Sequence, residues 1–226
     1  MRLVFDADDT LWENNIYFER AFDEFVDFLD HSALTPAQVR DVLNEIELVN
    51  AKIHGYGSLS FGRNLQQAYQ HLAEREIRAD DLTHVLGLAE RILKQPLELI
   101  AGVEETLEEL SARHELTLFT KGHEEEQRLK VDRSGLARYF VHTAIVKEKD
   151  VHAYGRLVRE QGFAVEETWM IGNSPKSDIN PALEAGIGAV LVPHPHTWVL
   201  EHQEVRVPEG ARFLRVERFT GLRAHF

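Results

Sequence analysis

The sequence predicts an α/β fold, a parallel sheet with helices on both faces, carrying an all-helical insertion after its first strand. Three observations predict it. The chain opens on a short apolar stretch, "RLVF". Residues 14–100 then follow helical spacing with no convincing strand. From Gly102 onward helix and strand alternate, the pattern of parallel strands joined by crossover helices. "RLVF" needs partners, and only the alternating region supplies strands, so the helical block interrupts a single α/β domain. The expected units are a core of 1–13 with 101–226 and a helical domain of 14–100.

Taken in order, "RLVF" is a buried strand stopped by the aspartates of "DADDT". "IYFERAFDEFVDFL" places Phe18, Phe22, Phe25 and Leu29 on one helical face, the expected core of the insertion. Two more helices, "PAQVRDVLNEIELVNAKI" after Thr35 and "FGRNLQQAYQHLAERE" after Ser60, are parted by the break "HGYGS". Then come helix "VEETLEELSAR", strand "LTLFT", a helix from Glu124, strand "FVHTAIV", helix "VHAYGRLVREQG", strand "TWMIG", helix "PALEAG" and strand "GAVLVP". Right-handed crossovers put these helices on both faces, which makes the core Rossmann-like.

Composition narrows the function. The 226 residues can bury a substantial core, and 43% hydrophobic with 28% charged residues is ordinary for a globular protein. A formal net charge of -13 argues against a duplex nucleic-acid binder, which needs a basic stripe. Without cysteine, there are no disulfides, thiolate nucleophiles or cysteine-based zinc sites. No signal-peptide pattern precedes the first strand and no apolar run reaches membrane-span length, so a cytoplasmic protein without a membrane partner is expected.

Ligands of open α/β sheets lie outside the carboxyl ends of the strands. The first strand delivers Asp6, Asp8 and Thr10 there, and "LTLFT" delivers Thr120 followed by Lys121 and Gly122. Lys147 and Lys149 follow "TAIV", while "TWMIG" leads into Asn173, Ser174 and Asp178. Acids, hydroxyls and lysines from separate segments suit a divalent cation held together with a phosphate. His194, His196 and His202 are close in sequence, but their spacing does not put two ligands on one helical face. That segment is expected to end the fifth strand and pack Trp198 against the core.

"FDADDTLW" resembles the DxDxT signature of the haloacid dehalogenase-like hydrolases. Thr120 resembles their second motif, a lysine at 147 or 149 their third, and "GNSPKSD" their acidic fourth. The motifs stand in the family's order, and the helical insertion stands where the family places its commonest cap.

The resemblance implies that Asp6 is the nucleophile, forming an aspartyl-phosphate that water cleaves. Asp8 would protonate the leaving oxygen and then take a proton from the water, and it has to be neutral when substrate binds. Thr120 and the third-motif lysine would hold phosphate oxygens beside Lys121 and Gly122; Lys149 is favoured because it immediately precedes the next helix, and the sequence leaves Lys147 open as the alternative. Mg²⁺ would be held by Asp6, the carbonyl of Asp8, and Asn173 or Asp178. The family's dehalogenases lack an acid at the position of Asp8, so a phosphatase of a small phosphorylated substrate is expected. A 2-haloacid dehalogenase and a non-catalytic phosphate-ligand or protein-binding module are the alternatives. Asn173 stands where many members have aspartate. Lys52, His54, Tyr56 and Arg63 are candidates for selecting the substrate, and the oligomeric state is left open.

Overall fold

A computed structural model describes residues 1–226. Six strands form one sheet: β1 (Arg2–Phe5), β2 (Glu115–Lys121), β3 (His142–Val146), β4 (Thr168–Gly172), β5 (Gly188–Leu191) and β6 (Phe213–Arg215). Their order is β3-β2-β1-β4-β5-β6, and every pairing is parallel. The chain reverses direction across the sheet at β1, which pairs β2 on one side and β4 on the other. That switch point is where an open α/β sheet places its ligand crevice.

Period-two alternation divides the strand side chains between two cores. Leu3, Phe5, Leu116, Leu118 and Ile171 pack with α5 (Val103–Ser111) and with Val131 of α6 (Glu124–Ser134). Val4, Phe119, Met170 and Ala189 pack on the other face with α7 (Val151–Gln161) and α8 (Asn180–Glu184). Both faces of β1 are thus covered, as the unbroken apolar run "LVF" requires.

The chain divides into two compact units, 1–15 with 97–226 and 16–96. The helical unit lies within the 14–100 stretch of helical spacing, and backbone pairing ties the two linkers together. The Glu13 amide donates to the Glu98 carbonyl at 2.9 Å and the Ile100 amide to the Leu11 carbonyl at 3.0 Å. Residues 14–15 and 97–100 therefore belong with the sheet.

The second unit is helical: α1 (Asn15–Leu29), α2 (Pro36–His54), α3 (Ser58–Leu72) and α4 (Ala79–Glu90). Thr35 and Gln38 form a capping box that starts α2, with Pro36 in its first turn. Phe25, Leu43, Leu65, Tyr69 and Val85 are fully buried in its core. Each contributes about 1.5–3 kcal/mol relative to exposure. Two elements were not anticipated, α4 and β6. The latter has three residues, too few to show alternation.

Candidate active site

β1 hands its last backbone bond to Asp6, whose amide donates to the Ile171 carbonyl at 2.9 Å. The chain then turns tightly, with the Leu11 amide on the Ala7 carbonyl and the Asp9 amide on the Trp12 carbonyl, both at 2.8 Å. Asp9 adopts a left-handed conformation, φ 59°. Aspartate tolerates this better than most residues because its short side chain bonds locally. Here its Oδ1 accepts the Asn14 and Asn15 amides at 2.9 and 3.0 Å, which starts α1.

At the centre, the Lys149 ammonium lies 2.5 Å from Asp6 Oδ1 and 2.8 Å from Asp178 Oδ1. All three residues are buried. The Thr10 hydroxyl lies 2.9 Å from Asp6 Oδ2 and 3.2 Å from Asn173 Oδ1, while Asn173 Nδ2 donates to Thr197 Oγ1 at 2.9 Å. Burial works to lower the Lys149 pKa, but the charges of Asp178 and Asp6 outweigh it and hold the ammonium above its ordinary value. Burial, then the charge of Asp6, pushes the Asp178 carboxyl up to about 7 against the pull of Lys149.

Local backbone chemistry makes this convergence possible. Lys149 immediately precedes Asp150, which caps α7 by accepting the Ala153 amide at 2.7 Å. Asp178 sits in a π-helical turn, Pro175–Ile179, a device common at functional sites. Its Oδ2 accepts the Ser174 amide at 2.9 Å. A Cβ on Gly172 would stand 2.3 Å from Asp178 Oδ2, so only glycine at the end of β4 lets this carboxylate approach.

Asp8 and Thr120 form the neighbouring group. Gln127 Nε2 donates to Thr120 Oγ1 at 2.6 Å and to Asp8 Oδ2 at 3.2 Å. The Trp12 indole N–H reaches Asp8 Oδ1 at 2.7 Å, and Lys130 Nζ lies 2.9 and 2.8 Å from the two Asp8 oxygens. Gln127, Lys130 and Trp12 were not singled out from the sequence. α6 reads as a solvated helix, "EEEQRLKVDRS", and nothing in that pattern marks a buried glutamine.

The remaining candidates are placed elsewhere. Lys147 is exposed. Gly122, φ 148°, uses its amide on the Val146 carbonyl at 3.0 Å. The Lys121 ammonium turns to Glu201 Oε1 at 2.6 Å and Ser177 Oγ at 2.8 Å. Glu201, also unforeseen, accepts from the Ser174 and Ser177 hydroxyls. Burial raises the Glu201 pKa, but Lys121 and the two serines outweigh it and leave it below the ordinary 4.5. A depressed carboxyl stabilises the fold above its unfolded pKa and loses that contribution as pH falls through the folded value. Glu201→Gln should therefore lower the melting temperature at neutral pH and flatten its decline below about pH 4.5. A melting temperature against pH that matches wild type would contradict this placement.

His194 lies beside His196, with ring centroids 5.8 Å apart, but its ring nitrogens are directed at acids. Its Nε2 is 3.3 Å from Glu13 Oε2 and its Nδ1 is 3.8 Å from Asp9 Oδ1. One ligand atom from each of Asp9, Glu13 and His194 falls within 4.8 Å of the others. Burial pushes the Asp9 carboxyl up to about 7, with the charges of Asp8 and Asp6 adding to the shift and the Asn15 and Asn14 amides opposing it. Trp198 is half-buried ahead of a short 3₁₀ turn, Val199–Glu201.

The central donors are hard oxygens throughout: Asp6, Asp178 and Asn173 Oδ1. With both acids ionised, two buried carboxylates share one ammonium and the cluster is net negative. A small divalent cation such as Mg²⁺ fits that chemistry.

A model of the haloacid dehalogenase-like hydrolase family matches residues 2–186. Among solved structures, a haloacid dehalogenase-like family hydrolase from Xanthomonas campestris is 30% identical, with a TM-score of 0.85 over 100% of this chain and 89% of its own. An L-2-haloacid dehalogenase from Xanthobacter autotrophicus is 16% identical, TM-score 0.64, covering 98% of this chain and 96% of its own. A predicted phosphoglycolate phosphatase from Haemophilus somnus is 16% identical, TM-score 0.66, covering 99% and 96%. The last two are alike in fold alone. A comparison with curated proteins gave no match. No helix is long and apolar enough to cross a membrane.

Proposed function

This chain belongs to the haloacid dehalogenase-like hydrolases, and from that membership we propose that it is a Mg²⁺-dependent phosphatase of a small phosphorylated metabolite. The observation that carries the proposal is Asp8. Its carboxylate is tied to Thr120 through a shared Gln127 amide, two residues along the chain from Asp6. Displacing a halide needs no protonated leaving group, whereas expelling an alkoxide does.

Each residue then has a task. Asp6, oriented by Lys149 on one oxygen and Thr10 on the other, attacks phosphorus and becomes the aspartyl-phosphate. Asp8 gives its proton to the leaving oxygen, then takes one from the water that cleaves the intermediate. Thr120 and Lys149 bind phosphate oxygens and offset their charge. Lys121 and Gly122 serve this reading less well, since their donors are already used on Glu201 and Val146. Asp6, the Asp8 carbonyl, Asn173 and Asp178 would hold the Mg²⁺, which when bound supplies a Lewis acid toward the phosphoryl oxygens.

The test is a panel of phosphorylated metabolites with 2-chloropropionate, assayed with Mg²⁺ and again with a chelator. Phosphate release that stops on chelation supports the proposal. Chloride release that survives chelation would make the chain a dehalogenase, and no turnover of any compound would make it a binding module. Within the panel, Asp8→Asn should slow alkyl phosphates by about 10²–10⁴-fold, the usual worth of a general acid, and aryl phosphates by about tenfold or less. Equal losses on both would give Asp8 some other role.

A further inference from the structure

α6 sends two side chains one turn apart to the same carboxylate, Gln127 and Lys130. Lys130 Nζ touches both Asp8 oxygens, at 2.9 and 2.8 Å, and a third contact runs to Asn14 Oδ1 at 2.7 Å. An ammonium has three donors, and all three are used. Asn14 is itself fixed, because its amide donates to Asp9 Oδ1. On the other side of Asp8, the Trp12 indole reaches Oδ1, and Trp12 is only 1% exposed. Each Asp8 oxygen thus has two donors, which fills the roughly four lone-pair positions of a carboxylate and leaves none for a proton; this is the arrangement of the proton-accepting form, and donation to the leaving oxygen requires one of these donors to let go first.

Three groups hold Asp8, but they are not equivalent. Trp12 and Gln127 each touch one oxygen. The second torsion of an aspartate is broad and sets no plane by itself, so a single contact lets the carboxylate rock about that bond. Lys130 alone grips both oxygens, and it is the one charged partner, whose hydrogen bonds are the stronger kind. Its side chain is 14% exposed and that of Asp8 23%, so water competes little for the contact.

We propose that Lys130 is a positioning residue for Asp8, fixing the plane of its carboxylate and acting on the reaction only through it. The inference rests on the phosphatase reading, in which Asp8 exchanges a proton with the leaving oxygen and the water. Nothing in the order of motifs along the chain pointed to Lys130; its place on one face of α6 with Gln127 does.

The experiment combines a double-mutant cycle with a spectrum that needs no turnover. Lys130→Met should lower kcat on an alkyl phosphate by about tenfold or more, a part of the 10²–10⁴ that a general acid supplies. On an aryl phosphate the loss should be about twofold or less, and Lys130→Arg should restore most of the alkyl activity. In an Asp8→Asn background, Lys130→Met should have almost no further effect, because both changes remove one function. The chain has three tryptophans. In the indole N–H region of its NMR spectrum, Asp8→Asn should shift one resonance, that of Trp12, and Lys130→Met should shift the same one. Equal losses on both ester classes, a full Lys130→Met loss in the Asp8→Asn background, or an unmoved Trp12 resonance would overturn the inference. Should wild type hydrolyse no phosphate ester, the phosphatase reading fails by itself. The indole resonance then decides alone whether Lys130 holds Asp8.

Discussion

Asp6→Asn should reduce turnover to below about one part in 10⁴ while the protein stays folded and melts no lower than wild type. The activity argument is chemical, since an amide oxygen is a far poorer nucleophile than a carboxylate and its acyl-phosphate analogue does not form. The stability argument comes from the surroundings. Asp6 and Asp178 are buried carboxylates on one ammonium, and the charge of Asp6 helps push the Asp178 carboxyl up to about 7. Removing one like charge leaves Lys149 paired with Asp178 and lifts a repulsion. Rate and melting temperature should therefore move independently. A variant that keeps about a tenth of wild-type activity would sink the assignment of Asp6 as nucleophile.

Lys149→Met should do the opposite to stability and the same to activity. It keeps the stem but withdraws the one cation within bonding distance of Asp6 and Asp178, two buried carboxylates. Breaking a buried pair by removing one partner costs about 3–5 kcal/mol, because the remaining charge stays desolvated. In a chelator, the variant should melt well below wild type. The sign of its pH dependence follows from linkage. Without Lys149 the Asp178 carboxyl, already pushed up to about 7, loses the group that pulls it down, so the unfolded chain ionises first and stability falls as pH rises. The deficit should be large above about pH 7 and shrink toward the ordinary carboxyl range near 4. Adding Asp178→Asn should recover part of it. An unchanged melting temperature for Lys149→Met would mean that the ammonium does not lie between these acids.

How far the sequence could be read depended on the kind of signal. Alternating helix and strand after Gly102 is a long-range pattern with many repeats; it located four strands and, by supplying the partners that "RLVF" needs, the insertion. β6 repeats nothing, and the linkers join through backbone bonds that no side-chain pattern reports. At the site, the strand-end rule indicated which segments converge, since parallel strands all end at one edge. It failed for neighbours in sequence. Lys121 follows Thr120 along β2, but successive side chains of a strand point to opposite faces. Thr120 therefore faces Gln127 and Asp8, and Lys121 faces Glu201. Glu201, Gln127 and Lys130 were invisible for a related reason. Gln127 and Lys130 lie on a polar helix of the kind that ordinarily faces water, and Glu201 closes a short turn with no motif around it; only tertiary structure turns them inward.

The central claim is that Asp6 is phosphorylated during turnover, and it can be read directly from the protein. An aspartyl-phosphate is an acyl-phosphate, which borohydride reduces to homoserine, whereas an unmodified aspartate survives. Enzyme turning over a phosphate ester with Mg²⁺ would be quenched in acid, reduced, digested and sequenced by mass spectrometry. The account predicts homoserine at position 6 in the "FDADDTLW" peptide, absent without substrate and absent in Asp6→Asn. Brisk phosphate release with position 6 recovered only as aspartate, or homoserine at position 8 instead, would contradict it.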